Sequence, residues 1–189
     1  MTSRAPNVTA EQIQCYIMPR LELRNAYTKY RCKRVISIFE SQEIGTLGEP
    51  TPEGVDPTQH DRHYFDDIFL EDCTETGKPS VEDAQRIIDS FATLPKSAES
   101  KIFVHCYAGV SRSSAVVYIL YCMELGPDRE VEAMELTEKS APWGGIYPNS
   151  LLVKYADESM GRDGKMIKAL RDWKVETQKR LKSGDYLID

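Results

Sequence analysis

The sequence predicts an α/β domain: a central, mostly parallel sheet of four to five strands, flanked by helices, with a helical C-terminal third. Three observations predict it. Short apolar or β-branched runs alternate with longer segments of helical periodicity over the first two thirds of the chain. The stretch Ala115 to Met123 is almost wholly apolar and belongs to a helix with no polar face, which places it at the domain centre. The length of 189 residues, 41% of them hydrophobic, fits one domain that closes a core without staples. The expectation is a single domain over 1–189 with its core over about 10–175.

Each element has its own reason. Ile13 to Met18 is apolar enough for a first strand, and Arg34 to Phe39 is a β-branched run that makes a second. Residues 41–61 carry Gly45, Gly48, Pro50, Pro52, Gly54 and Pro57 and read as a surface loop. His63 to Ile68 is a candidate third strand, running into an acidic loop from Glu71 to Lys78. A helix starts at Ser80, with Asp83 three residues on as a near capping box. Val81, Ala84, Ile87, Ile88 and Phe91 share its inner face, and Pro95 follows its end. Lys101 to His105 is a short buried strand, and the apolar helix Arg112 to Leu125 is stopped by Gly126-Pro127. Asp128 caps a helix to about Lys139, and Asn149 caps one to about Met160. A last helix runs from Asp163 to about Leu181, with Met166, Ile167, Leu170 and Trp173 inward.

The charge balance excludes some functions. With 24 Lys plus Arg against 30 Asp plus Glu, the net charge of −6 argues against nucleic acid and anionic membrane surfaces as partners. It leaves room for an anionic ligand, because a few local donors can hold a phosphate. The longest apolar stretch is far below the roughly 20 residues a bilayer needs. The N-terminal residues lack a signal-type apolar region, and the five cysteines are odd in number and widely spaced. Both features lead us to expect a cytoplasmic protein without a disulfide framework.

One segment outweighs the rest: Val104-His105-Cys106-Tyr107-Ala108-Gly109-Val110-Ser111-Arg112-Ser113-Ser114. A buried strand delivers Cys106 to the mouth of a tight loop that ends where the buried helix begins. In such a turn consecutive N–H groups can converge into an anion nest, and the first helical turn adds unpaired N–H groups. Gly109 permits the bend, and Arg112 offers a two-pronged donor to phosphate oxygens. The same donors favour the thiolate of Cys106, a nucleophile suited to attack on phosphorus.

His-Cys, five residues, Arg and then Ser resembles the signature of the cysteine-based protein tyrosine phosphatases. The form His105-Cys106-Tyr107-Ala108-Gly109-Val110-Ser111-Arg112-Ser113 looks most like the dual-specificity branch, and the domain resembles its small bacterial-type members. The resemblance implies a protein tyrosine phosphatase-like fold and a phospho-cysteine intermediate on Cys106. It implies a loop of Tyr107, Ala108, Gly109, Val110, Ser111 and Arg112 around the phosphoryl oxygens. Ser113 would stabilise the departing thiolate, and His105 would orient the cysteine through the loop backbone. It implies no metal or other cofactor. An aspartate from another loop would act as general acid and then base. Asp67 is favoured for its place at a strand end beside Ile68. Asp72, nearer the helix start, and Asp66, its immediate neighbour, remain alternatives.

Blander readings accompany these. Cys106 could be a buried structural thiol and Arg112 a helix-end ion pair; the loop context counts against both. His60 and His63 could suggest a metal, but lack an evident third ligand, and solvated loop histidines are the simpler expectation. Cys73 could form a reversible disulfide with Cys106, a plain thiol being the simpler reading. Cys122 is expected in the core, and Trp143 as loop packing. The acidic cluster Asp66, Asp67, Glu71, Asp72 and Glu75 reads as a solvated face that disfavours highly anionic substrates.

The leading expectation is therefore a metal-independent phosphomonoester hydrolase acting on phosphotyrosine, with phosphoserine and phosphothreonine as further substrates in a dual-specificity enzyme. Its partner is a phosphorylated protein, with phosphate or sulfate held in the loop, and a monomer is the favoured state. The resemblance also disfavours a lipid substrate, because relatives that act on inositol phospholipids tend to carry extra basic residues in the loop interior, which here contains no lysine. Sulfur transfer of the rhodanese kind fits the His-Cys start and the Arg position less well. The rival from another class is a phosphoprotein-binding module on the same fold with little turnover.

Overall fold

Four six- or five-residue runs form the sheet: β1 (Gln14–Pro19), β2 (Arg34–Phe39), β3 (His60–Tyr64) and β4 (Lys101–Cys106). This computed structural model describes residues 13–22, 32, 34–45, 51, 55–92, 101–141 and 145–183. Trp143, Pro95 and the tail after Ser183 lie outside the described residues. The strand order is β1-β4-β2-β3, and every pairing is parallel. Parallel strands need crossovers and covered faces, which explains the near-continuous apolar runs of β2 and β4. All four strands end at one edge, with the central strand β4 delivering Cys106 there, where open parallel sheets bind ligands.

Five helices occur among the described residues: α1 (Val81–Ala92), α2 (Arg112–Leu125), α3 (Glu130–Lys139), α4 (Ser150–Ser159) and α5 (Lys165–Ser183). They share one core with the alternate strand residues Ile13, Cys15, Ile17, Ile36, Ile38, Ile102 and Val104. The opposite face carries a smaller cluster of Met18, Cys32, Val35, Val55 and Phe103. Helix α2 lies at the centre, buried from Arg112 through Cys122. Its two tyrosines keep their hydroxyls paired: Tyr118 donates to the Met166 carbonyl at 3.1 Å, and Tyr121 lies 3.0 Å from Ser140 Oγ.

Several local expectations hold. Ser80 and Asp83 form the reciprocal cap of α1: Ser80 Oγ accepts from the Asp83 N–H at 3.1 Å, and Asp83 Oδ2 accepts from the Ser80 N–H at 2.9 Å. Asn149 Oδ1 caps α4 through the N–H groups of Leu151 and Leu152. Cys122 is buried in the core.

Others are corrected. The third strand starts earlier than His63 and stops at Tyr64 rather than Ile68. After Phe65 donates to the Phe39 carbonyl, Asp66 turns away to pair with Gly77. Val81 is 45% exposed and not part of the inner face of α1. Asp128 does not cap α3: it takes a left-handed φ of 67° and pairs with Lys165 at 2.5 Å, and Arg129 occupies the cap position. Helix α5 begins at Lys165, because Asp163 and Gly164 both have positive φ. The Asp157 carboxylate, from α4, accepts from the Gly164 and Met166 N–H groups and caps α5 from a distance. The segment 41–61 contains two short 3-10 turns, Ser41–Glu43 and Pro57–Gln59, where a plain loop is expected.

Candidate active site

The loop from Cys106 to Arg112 sits between the ends of β1, β2 and β3. Its shape depends on Gly109, which has φ of 71°; a Cβ there would lie 2.4 Å from the Met18 carbonyl carbon. The loop therefore packs its bare backbone against the end of β1. Its carbonyls are fastened from outside. Tyr107 accepts from the Arg20 N–H at 3.2 Å, Val110 from the Tyr147 N–H at 2.9 Å, and Ser111 from the Asn149 N–H at 3.3 Å. Ser114 Oγ also donates to the Val110 and Ser111 carbonyls. In a planar trans peptide the N–H points opposite to the preceding C=O. Fastening these three carbonyls outside the loop turns the N–H groups of Ala108, Ser111 and Arg112 the other way.

Cys106 is buried, with Sγ 3.3 Å from Ser113 Oγ in the first turn of α2. The other cysteines differ in kind. Burial pushes the thiols of Cys15, Cys32 and Cys122 up to about 12. Cys73 is partly exposed and donates to the Leu70 carbonyl at 3.1 Å.

Arg112 is buried and held in place by acceptors at the strand ends. Nη1 donates to the Phe65 carbonyl at 2.9 Å and the Phe39 carbonyl at 3.4 Å, and Nη2 to Glu40 Oε1 at 2.5 Å. Its Nε–H is buried without a protein acceptor among the described residues. An orphaned guanidinium donor beside an anion-type loop is a costly arrangement unless a ligand oxygen accepts from it.

The three aspartates separate clearly. Asp67 reaches the loop: Oδ1 accepts from Ser111 Oγ at 2.6 Å and from Asn149 Nδ2 at 3.0 Å. The residue is exposed, and among the described residues Oδ2 makes no hydrogen bond. Asp66 faces the other way and staples the chain. Its two oxygens accept from the Ser41 N–H at 2.7 Å and the Ser41 hydroxyl at 2.8 Å. Partial burial opposes its charge, but the Ser41 hydrogen bonds and the Arg112 charge win, so the carboxyl lies below its usual range. Asp72 is exposed, and among the described residues no hydrogen bond or ion pair joins it to the loop.

The expectation of solvated loop histidines is overturned. His60 and His63 are buried on β3, and His105 is buried at the end of β4. Burial pushes each imidazole down to about 4. His60 and His105 both reach Ser37 of β2.

Several site residues had no sequence signal. Glu40 is an isolated carboxylate, Ser37 a polar interruption of an apolar run, and Asn149 announces itself only as a helix cap. Their roles arise when distant strand ends meet. At the rim, Lys174 of α5 sits 3.9 Å above the Tyr147 ring and 5.9 Å from that of Phe69. This joins the last helix to the Asp67 segment.

No family model and no curated protein sequence matches the chain. Solved structures do match. A human tyrosine phosphatase-like serine/threonine/tyrosine-interacting protein aligns with a TM-score of 0.52 and 18% identity, over 76% of this chain and 85% of that one. The PTP-2 phosphatase of Cydia pomonella aligns with a TM-score of 0.55 and 11% identity, over 78% and 86%. At these identities the likeness establishes the fold: a four-stranded parallel sheet with helices, arranged as in the tyrosine phosphatases.

Proposed function

On the tyrosine-phosphatase fold shared with those structures, we propose that this chain is a metal-independent phosphomonoester hydrolase. Its substrates are phosphotyrosine and, as a dual-specificity enzyme, phosphoserine and phosphothreonine in proteins. One observation supports this above the others. The loop that starts at Cys106 has Asp67 bound to its Ser111, and the Arg112 at its end keeps a buried Nε–H without an acceptor among the described residues.

The chemistry follows from the positions. A phosphoryl group seated in the loop, from Cys106 through Tyr107, Ala108, Gly109, Val110 and Ser111 to Arg112, places its oxygens on the N–H groups and the guanidinium. These donors stabilise the charge of the transition state. Cys106 Sγ forms the S–P bond while the P–O bond to the substrate breaks. Asp67, with its proton on Oδ2, gives that proton to the leaving oxygen. In the second step Asp67 Oδ2 takes a proton from water as the water oxygen attacks phosphorus. The S–P bond then breaks, Ser113 Oγ–H stabilises the returning thiolate, and phosphate is released. Ser111 and Asn149 hold Oδ1 and leave Oδ2 without a hydrogen bond among the described residues. Glu40 fixes the guanidinium plane from behind.

The alternative is a phosphoprotein-binding module with little turnover, a role the name of the human neighbour evokes. The presence of Cys106, Arg112 and a loop-contacting Asp67 supports turnover. The test is phosphate release from a phosphotyrosine peptide in EDTA. Turnover by the wild type, abolished in Cys106→Ser, is the expected result. Tight phosphopeptide binding without turnover in either protein would establish the binding module.

A further inference from the structure

Three buried polar side chains and one partly buried hydroxyl outside the loop line up behind Cys106. His105 Nε2 lies 2.6 Å from Ser37 Oγ, and His60 Nε2 lies 2.7 Å from the same oxygen. His60 Nδ1 lies 3.1 Å from Thr51 Oγ1. Ser37, His60 and His105 are all buried, on the sheet face opposite the helices. Burial keeps both imidazoles uncharged, so each carries one ring proton.

A hydroxyl has one hydrogen. Ser37 is fully buried and its Oγ makes no other hydrogen bond among the described residues, so its hydrogen goes to one imidazole and it accepts from the other, which gives the two histidines opposite tautomers. Two directions are possible, and the ends of the chain choose between them. Arg62 Nη2 donates to Thr51 Oγ1 at 3.1 Å, which leaves the Thr51 hydrogen available for His60 Nδ1. At the other end His105 Nδ1 is buried without a well-aligned partner among the described residues, and a backbone contact with Cys106 strengthens the ring's hold on a proton. That contact favours the proton-bearing form, as a backbone carbonyl facing an N–H would.

We infer that His60 is a positioning residue for the nucleophile: it donates Nε2–H to Ser37, Ser37 donates to His105 Nε2, and His105 thereby keeps its proton on Nδ1 against the Cys106 main chain. The direction of donation is Thr51 to His60 to Ser37 to His105. Its effect is to fix the ring of His105, and with it the start of the phosphate loop. The kinetic consequence rests on the phosphatase reading, whereas the tautomers do not.

The chain has three histidines, so imidazole nitrogen NMR of the labelled full chain can assign each one. The expected wild-type spectrum has His105 protonated on Nδ1 and His60 on Nε2. A wild-type His105 protonated on Nε2 overturns the inference without any variant. His60→Leu removes the donor, and His60→Gln places an amide N–H near Nε2. In His60→Leu, His105 is expected to lose its single tautomer, and kcat to fall about tenfold with KM unchanged. His60→Gln is expected to restore both. A His105 tautomer unchanged in folded His60→Leu overturns the inference. His105 on Nδ1 and His60 on Nε2 in a protein without phosphatase turnover would support the relay and end the catalytic reading instead.

Discussion

Three neighbouring aspartates show how local contacts divide similar residues into different tasks. Asp67 is tied to Ser111 and Asn149 by one oxygen and keeps the other without a hydrogen bond among the described residues. Asp67→Asn keeps those contacts and removes the proton. Its kcat on aryl phosphates with poor leaving groups should fall about 10²–10³-fold with little change in KM. Asp72→Asn should leave kinetics at wild-type values. Asp66→Asn should chiefly lower stability, since its oxygens anchor Ser41. Steady-state kinetics beside urea unfolding separates the three. If Asp67→Asn turns over normally and Asp72→Asn does not, the acid has been assigned to the wrong residue. The sequence favoured Asp67 from its place near a strand end. It could not show that Asp66 is bound to Ser41, because that contact joins residues 25 apart through the fold.

At the scale of elements, the strand–loop–helix unit around Cys106 was legible because its constraints are local. A glycine in the loop, a buried strand before it and an apolar helix after it all appear in the chain order. Gly109→Ala adds a side chain at a left-handed φ and against the Met18 backbone. The strain alone costs about 1–3 kcal/mol. Phosphate should raise the Tm of the wild type by binding the native state and leave that of Gly109→Ala unmoved. An equal phosphate-induced rise in both would show that the loop does not need this backbone path. Asn149→Ala should cost about 1 kcal/mol through the lost α4 cap and also reduce kcat, because Asn149 Nδ2 holds Asp67. The boundaries of α3 and α5 were read less well. Asp128 looks like a cap and Asp163 like a helix start by residue type, but both take positive φ, and α5 is capped by Asp157 from another helix. The end of β3 was misread for a similar reason: the chain leaves the sheet at Asp66 to meet Gly77, a contact with no local pattern.

Over the whole molecule, the three buried histidines set the response to acid. Burial holds His60, His63 and His105 down at about 4, against an unfolded value of about 6.5. Between those values the unfolded chain binds protons that the native chain does not. Stability is therefore complete above about pH 6.5 and falls as the pH drops toward 4. Each such imidazole contributes roughly 1–2 kcal/mol of loss by pH 5. Urea midpoints across pH 5 to 7.5 should decline toward acid; a flat profile would mean the native imidazoles bind protons as readily as the unfolded ones. The α/β class and the single core were legible because apolar periodicity reports burial directly. The arrangement of Glu40, Ser37 and His60 around the loop was not, because polar residues from separate strands acquire their roles only when the sheet edges align.

The central claim is covalent catalysis at Cys106, and trapping the intermediate tests it most directly. Asp67→Asn, mixed with p-nitrophenyl phosphate, whose leaving group needs no protonation, and quenched in acid within the first turnover, should carry one phosphoryl group on the peptide containing Cys106. Intact-mass and peptide-level spectrometry reads this. Consumption of the aryl phosphate with no phosphorylated Cys106 peptide, or a phosphoryl group on another residue, would contradict the account.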